Sequence, residues 1–234
     1  AGAIGLRAAV LVCMRNCEKG QLFFEFDKGT FMSVTKGPSI DAIWGAGEFV
    51  PGKGWKFAEG QGLRLDQDAG GCMNNYVPKP KELNIAYTVI MYVTFDRTDG
   101  WRRIMGSTGW GDSGLYVKDQ FQVYPTASNM KCYEKLLPGK QYGLAVSRTP
   151  DGMFRLYING GMCSRAYPLY NHGFRLDQHN VDFFHDDGNE NPSGVVKSIH
   201  MWNKALTDQE VAKEMGCTLL TEAKRCGRNL IWSP

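Results

Sequence analysis

The residues best suited to chemistry lie in an acidic segment near the end of the chain, His185-Asp-Asp-Gly-Asn-Glu-Asn191. It offers carboxylates, side-chain amides and a glycine that permits a tight turn. Calcium takes six to eight oxygen ligands of these kinds. The segment is therefore a candidate calcium-binding loop, with Asn189 as a candidate ligand-binding residue. The alternative is an ordinary solvated acidic turn, and the sequence suggests no cofactor other than calcium.

A second glycine-flanked segment contains Trp110 and Asp112. The CH faces of pyranose rings pack on aromatic rings, so Trp110 is a candidate sugar-stacking residue, with Trp101, Tyr116 and Tyr124 as further aromatic candidates. Aromatic residues in β-sandwiches more often fill the core or cover a sheet face, and that is the alternative for all four.

The sequence does not favour catalysis. Glycosidases with a β-sandwich fold place three carboxylates on one strand face, in an E-x-D-x-E or E-x-D-x-x-E pattern. The nearest match, Glu25-Phe-Asp27, lacks the third carboxylate in both spacings and is interpreted as a pair of surface acids on an edge strand. No G-x-S-x-G, H-E-x-x-H or P-loop motif occurs in the sequence. A non-enzymatic role is therefore expected.

Short apolar stretches that alternate with a period of two predict many β-strands. The clearest runs from Tyr87 to Phe95, where Tyr87, Val89, Met91, Val93 and Phe95 share one face. Strands that recur every ~8–12 residues between turns are typical of a sandwich or barrel. Asn159-Gly160 predicts a type I′ hairpin, because both residues tolerate a positive φ.

The end of the chain predicts a helix. Thr207-Asp-Gln-Glu210 has the spacing of a capping box, in which the threonine hydroxyl and the glutamate side chain satisfy two helix-end amides. The helix is expected to reach Met215 and to end at Gly216. A second helical stretch is predicted over residues 219–225.

Charge and hydropathy exclude two classes of partner. The net charge of +3 comes without a long Lys/Arg run, whereas nucleic-acid binding requires a broad basic stripe. No apolar run approaches the ~20 residues that span a bilayer. The expected partners are a glycan, a protein or other subunits of a large complex, without nucleic acid and without a transmembrane segment.

Seven cysteines are spread along the chain without a zinc-ribbon spacing: Cys13, Cys17, Cys72, Cys132, Cys163, Cys217 and Cys226. Two or three disulfides in an oxidising compartment are the favoured interpretation, and buried free thiols are the alternative. The expected location is extracellular or in an oxidising organelle lumen. The chain begins with Ala1 rather than Met, which is expected of a processed or trimmed product.

Several segments, in order, resemble the laminin-G-like jelly roll of the concanavalin A-like superfamily. They are Gly52–Phe57 with Leu63–Leu65, Trp101–Gly106 with Gly111–Gly114, Leu137–Lys140 with Leu144–Arg148, Leu156–Gly160, and Val196–Leu206, which also resembles pentraxins. One departure is Gln141, where the family has tryptophan.

The resemblance implies an all-β jelly-roll sandwich of two antiparallel sheets with a short C-terminal helical extension. The expected division is an N-terminal extension (1–19), a jelly-roll domain (20–206) and a C-terminal helical extension and tail (207–234). The pentraxin likeness implies calcium ligands at Asp186 and Asp187. The laminin-G likeness implies a second ligand loop at Asp112.

The function expected from these features is a lectin-type recognition module that binds glycan or protein through residues at its loop rim. The alternative is a structural subunit of a larger assembly, including one in a plastid lumen, that docks through its two terminal extensions.

If calcium binds the folded chain, it will stabilise it. At a calcium concentration 100 times its dissociation constant the free energy of unfolding should rise by ~2.7 kcal/mol. We expect a higher melting temperature in millimolar calcium than in chelator, and no such difference in the Asp186→Asn/Asp187→Asn double variant. Identical melting curves of the unaltered chain in calcium and in chelator would leave the solvated-turn interpretation.

Overall fold

The fold is a β-sandwich of two antiparallel sheets with one short α-helix. The computed structural model describes residues 20–35, 37–65, 86–107, 112–125, 130–167, 180–186 and 188–217. Within these residues the predicted all-β jelly-roll class is confirmed. The N-terminal extension 1–19, residues 218–234 of the predicted C-terminal extension and the predicted helical stretch 219–225 lie outside them, and the proposed domain boundaries stay predictions.

Eight of the described strands form the first sheet, called sheet A, in the spatial order β13-β12-β11-β6-β15-β4-β3, with β1 also paired to β15. In chain order its strands are β1 (Gln21–Glu25), β3 (Glu48–Val50), β4 (Gly54–Phe57), β6 (Tyr87–Phe95), β11 (Gln141–Arg148), β12 (Phe154–Ile158), β13 (Gly161–Ala166) and β15 (Gly194–Trp202).

Seven described strands form the second sheet, called sheet B, in the spatial order β10-β9-β8-β7-β14-β5-β2. In chain order they are β2 (Asp41–Ile43), β5 (Gly62–Leu65), β7 (Arg102–Ser107), β8 (Gly114–Lys118), β9 (Gln120–Tyr124), β10 (Lys131–Lys135) and β14 (Val181–Phe183). A 3₁₀ helix (Phe26–Lys28) follows β1.

The core lies between the two sheets and follows the period-two pattern of the sequence. On β6 the predicted inward set from Tyr87 to Phe95 is buried in the main core cluster. Leu115, Val117, Phe121 and Val123 face it from sheet B. Because alternate side chains of a strand point to opposite sides of its sheet, the intervening residues form the two outer faces of the sandwich.

The outer face of sheet A is covered by α1 (Asp208–Glu214). Val211 and Met215 pack with Ile90, Ala145 and other residues of this face in a second apolar cluster. The helix begins with the predicted capping box, in which the Thr207 side chain accepts from Glu210 N while the Glu210 carboxylate accepts from Thr207 N. It ends as predicted, with Gly216 at a φ of 76°.

The two sheets are joined covalently at one edge. The disulfide Cys132–Cys163 links β10 of sheet B to β13 of sheet A, with the two Cα atoms 5.1 Å apart. Cys217 is also disulfide-bonded. Oxidised cysteines fit a secreted or otherwise oxidising environment.

The predicted Asn159-Gly160 hairpin joins β12 to β13, with φ angles of 49° and 83° at the two turn residues. Both positive values match a type I′ turn. No helix in the described part of the chain has the length and apolar character needed to cross a membrane.

Leu156 is completely buried, so it tests which side chains of β12 face the core. Leu156→Ala removes buried methyl groups and leaves a cavity, so we expect it to lower the free energy of unfolding by ~2–5 kcal/mol. The exposed Leu137 provides the matched control, where an alanine should change stability by no more than ~0.5 kcal/mol. Equal effects in a reversible denaturant titration would show that the strand phase is wrong.

Candidate ligand-binding face

The outer face of sheet B is the open broad surface of the sandwich, since none of the described helices or strands packs over it. Tyr116 lies on this face because Leu115 and Val117, its neighbours on β8, point into the core. Gln122 and Tyr124 alternate in the same way with Phe121 and Val123 on β9. The face is therefore built by strand alternation, on a rigid support.

Three aromatic rings meet on this face. The ring centroid of Trp101 lies 5.4 Å from that of Tyr116 and 5.2 Å from that of Tyr124, and Tyr116 and Tyr124 are 6.3 Å apart. All three pairs are edge-to-face, an arrangement that aromatic quadrupoles favour. Tyr116 is buried beneath its neighbours, Trp101 is half-buried and Tyr124 is 45% exposed. The aromatic cluster thus presents Tyr124 and part of Trp101 to solvent.

Polar groups surround the aromatic cluster. The Lys118 ammonium lies 4.6 Å from the Trp101 ring centroid, a cation–π contact. Gln122 pairs with Tyr116 across β8 and β9, and its Nε2 is buried without a hydrogen-bond partner. The Gln120 side chain donates to the Tyr133 carbonyl of edge strand β10 at 3.0 Å. Aromatic rings flanked by amides and an ammonium can hold the apolar face and the hydroxyls of one ligand together.

The acidic loop lies beside this cluster and is held by a buried ion pair. Arg103 Nη1 of β7 donates to Asp186 Oδ1 at 2.9 Å, and both side chains are less than 10% exposed. Arg103 Nη2 also donates to the Ser113 carbonyl at 2.7 Å, and its guanidinium lies 6.0 Å from the Tyr116 ring centroid. One arginine therefore connects the two candidate loops to the aromatic cluster.

The backbone of the acidic loop is anchored as well. The Asn191 side chain accepts from Asp186 N at 2.7 Å and donates to the Gly188 carbonyl at 2.7 Å. The Glu190 carbonyl accepts from Arg103 N at 2.8 Å. These bonds hold Asp186 and residues 188–191 against the sheet.

The carboxyl groups of Asp112, Asp186 and Glu190 lie near one another beside the aromatic cluster. Burial raises the pKa of Glu190, and the neighbouring Asp186 and Asp112 raise it further. Burial also raises the pKa of Tyr116, which therefore keeps its proton and donates to the Asp112 carbonyl at 3.0 Å. Burial lowers the pKa of His185, so this imidazole is neutral at neutral pH.

The structure brings together several of the residues that the sequence singled out. Asp112 and Asn189 are exposed on the two loops beside Arg103, and Asp186 is the buried partner of that arginine. Trp110 and Asp187 lie outside the described residues. Within the described ranges no three His, Cys, Asp or Glu side chains are grouped to hold a metal ion. Calcium binding stays a prediction, as does the ligand role of each of these residues.

Glu25 and Asp27 lie at the other sheet and do not share a strand face. Glu25 ends β1, where its Oε1 is 2.7 Å from His200 Nε2, whereas Asp27 belongs to the 3₁₀ helix and lies 3.7 Å from Lys197 Nζ. The glycosidase pattern requires both carboxylates on one strand.

The Arg103–Asp186 ion pair, which organises this face, has no local signature in the sequence. Arg103 and Asp186 are 83 residues apart, and nothing local pairs them. The same holds for Lys118, which reads as an ordinary exposed strand-end charge. The available signal was the alternation of Tyr116 and Lys118 with Leu115 and Val117, which already placed both on the outer face.

Comparisons with known proteins agree with the fold. Neither a protein-family model nor a curated protein sequence matches the chain. Domain 4 of an extracellular GH43 arabinanase from Geobacillus stearothermophilus, solved with arabinotriose, is a similar solved structure. Its TM-score is 0.59 at 15% identity, covering 82% of this chain and 96% of that domain.

Two further structures are similar over most of the chain. Trypanosoma rangeli sialidase has a TM-score of 0.61 at 19% identity over 83% of this chain, which spans 32% of the sialidase. The binding domain of botulinum neurotoxin DC, solved with rat synaptotagmin II, has a TM-score of 0.55 at 11% identity. The match covers 83% of this chain and 51% of the toxin chain.

At such identities the likeness shows the fold alone, a jelly-roll β-sandwich, and the similar structures include one solved with arabinotriose and one solved with synaptotagmin II. The narrower laminin-G-like assignment is not confirmed. The comparisons give no support to the assembly-subunit alternative.

The buried ion pair yields a direct stability test. Arg103→Leu leaves the Asp186 carboxylate buried without its guanidinium, and such a loss costs ~3–5 kcal/mol. The exposed pair Arg97–Asp99, at 2.9 Å, is the matched control, where Arg97→Leu should lower stability far less than Arg103→Leu does, because exposed ion pairs contribute little. Urea titrations of the two variants measure the difference. Similar small losses at both sites would contradict a structural role for the Arg103–Asp186 pair.

Proposed function

We propose that this chain is a non-catalytic recognition module that binds a glycan on the open outer face of sheet B. The observation that carries the proposal is the cluster of Trp101, Tyr116 and Tyr124 on that face. Its rings are locked by mutual edge-to-face packing before any ligand arrives, so little conformational entropy is lost on binding.

Each part of the face has a role in this proposal. The exposed Tyr124 ring, with the accessible part of Trp101, stacks on the CH face of a sugar. Lys118 supplies a donor to hydroxyl or ring oxygens, because its ammonium lies beside the Trp101 ring and its side chain is exposed. Asp112 and Asn189, which are exposed on the two loops, extend the contact. On the sequence alone, Trp110 joins them, and Asp186 and Asp187 would ligate calcium if it is required.

Charge and fold support a glycan ligand. The arabinanase domain with this fold is solved with arabinotriose, and the sialidase is solved with sialic acid. The toxin binding domain is solved with synaptotagmin II, a protein, so a protein ligand is the competing partner class. We assign the module to the laminin-G-like type on its ordered sequence motifs.

The non-catalytic part of the proposal rests on the carboxylates. The pair that resembles the glycosidase motif, Glu25 and Asp27, is split between a strand and a 3₁₀ helix. Near the aromatic cluster, Asp186 is bound to Arg103 and Tyr116 keeps its proton. This arrangement favours binding over acid–base chemistry.

Screening of the purified chain on a glycan array, in calcium and in chelator, tests the proposal. Isothermal titration with the best glycan then compares Tyr124→Ala with the unaltered chain. We expect the dissociation constant to rise roughly tenfold or more, since each ~1.4 kcal/mol of lost contact is about tenfold.

The control is Tyr167→Ala, since Tyr167 is also about half exposed but follows β13 at the edge of sheet A. This variant should bind as the unaltered chain does. If no glycan binds, or if both tyrosine variants bind normally, the proposed face is wrong.

A further inference from the structure

A second aromatic platform lies on the outer face of sheet B, at the end away from the aromatic cluster. Trp44 follows β2, is 52% exposed and stacks in parallel on His185, with centroids 3.4 Å apart and planes 9° apart. The Arg64 guanidinium lies 5.0 Å from its ring centroid. Arg64 belongs to the outer face because Leu63 and Leu65 beside it are in the core.

The platform is rigid. Arg64 donates from Nε and Nη2 to the two carboxylate oxygens of Asp182 at 2.7 and 2.8 Å, a bidentate pair across β5 and β14. After Trp44 the chain is fixed by the Trp55 indole, which donates to the Ala46 carbonyl at 2.9 Å. The indole of Trp44 is thus supported from below by paired groups while much of its surface stays in water.

The backbone at Trp44 is itself unusual. Its φ is 57°, in the left-handed region that a bulky side chain seldom occupies. Such strained residues cluster at ligand-binding positions, where the surrounding structure holds them in place. An exposed tryptophan in this conformation indicates a functional use of the ring.

The spacing between the two platforms determines the size of ligand that touches both. Trp44 lies over Arg64 of β5, and the aromatic cluster lies over β8. In the strand order these are three steps apart, so with neighbouring strands about 4.8 Å apart the separation is roughly 14 Å. A single sugar ring does not bridge this distance, whereas a chain of several sugars does.

The groups between the platforms favour a neutral, hydroxyl-rich ligand. Arg64 is paired with Asp182 and Arg103 with Asp186, so both arginines at the centre of the face are already neutralised and do not call for an anionic ligand. The described large apolar side chains exposed near this face are aromatic, namely Trp44, Tyr124 and Tyr133. Aromatic rings spaced by polar groups suit stacked sugars, because the rings pack on the apolar sugar faces while the polar groups bind hydroxyls.

We infer that Trp44 is a second stacking subsite and that the outer face of sheet B binds an extended neutral oligosaccharide lying across its strands. This inference rests on the proposed function and deepens it, since it names the class and the minimum extent of the glycan.

Calorimetric titration with linear neutral oligosaccharides tests the inference. Arabino-, cello- and xylo-oligosaccharides from the disaccharide to the hexasaccharide would be titrated into the unaltered chain and into Trp44→Ala, Trp44→Phe, Tyr124→Ala and Tyr167→Ala. We expect the unaltered protein to bind longer oligosaccharides more tightly than shorter ones.

Trp44→Ala should remove most of that rise, roughly a tenfold loss for the hexasaccharide, and leave the disaccharide affinity unchanged. Trp44→Phe keeps an aromatic ring and should retain part of the gain. Tyr124→Ala should weaken every length, and the control Tyr167→Ala none. Melting curves of each variant confirm folding, and Trp44→Phe provides the measurement if the alanine variant is unstable.

Different results would overturn the second subsite and the proposed function. One result overturns the second subsite while the proposed function stands. In that result, long oligosaccharides bind, Tyr124→Ala weakens their binding, and both Trp44 variants bind oligosaccharides of every length normally. Equal weakening of short and long chains by Trp44→Ala also overturns the extended-chain inference. If none of these oligosaccharides binds the unaltered chain, the neutral-oligosaccharide inference is overturned, and the proposed function is overturned only if the glycan array also shows no binding.

Discussion

The division of each sheet into an inward and an outward face is the constraint on which the rest of this structure depends. Alternate residues of every strand must enter one apolar core, so the remaining residues are left on two outer faces. On sheet A the second face is apolar at Ile90, Ala145 and Trp202, and it is covered by α1. On sheet B it is aromatic and polar, and none of the described helices or strands packs over it. Ligand binding is therefore expected on sheet B.

The Arg103–Asp186 ion pair converts that open face into a shaped surface. Burying two charges costs desolvation energy, so such a pair is weak evidence for stability. What it does here is geometric: one guanidinium binds the acidic loop through Asp186 and the β7–β8 connection through Ser113, and it lies against Tyr116. Asp186 and Ser113 are thereby held at the border of the aromatic cluster.

The second platform, at Trp44, is also held in place, but by other contacts. Trp44 has its ring on His185 and Arg64, and Arg64 is held by Asp182. The two platforms therefore share a design in which exposed aromatic rings rest on paired charges or other rings. Preorganised rings of this kind raise affinity mainly by lowering the entropy lost on binding.

The sequence by itself determined the features that depend on neighbours along the chain. The inward set of β6, the Asn159-Gly160 hairpin and the Thr207 capping box follow from strand alternation, turn preferences and helix-end hydrogen bonding, and all are confirmed. The sequence also offered Tyr116 and Tyr124 as aromatic candidates, without assigning them to a face. Only the tertiary structure decided that Arg103 meets Asp186, that Cys132 is bonded to Cys163, and that Trp44 lies on the same face as Tyr124. These contacts depend on the order of strands within each sheet. Hydrophobic periodicity does not specify that order, because every strand with one apolar face satisfies the core equally well in several positions.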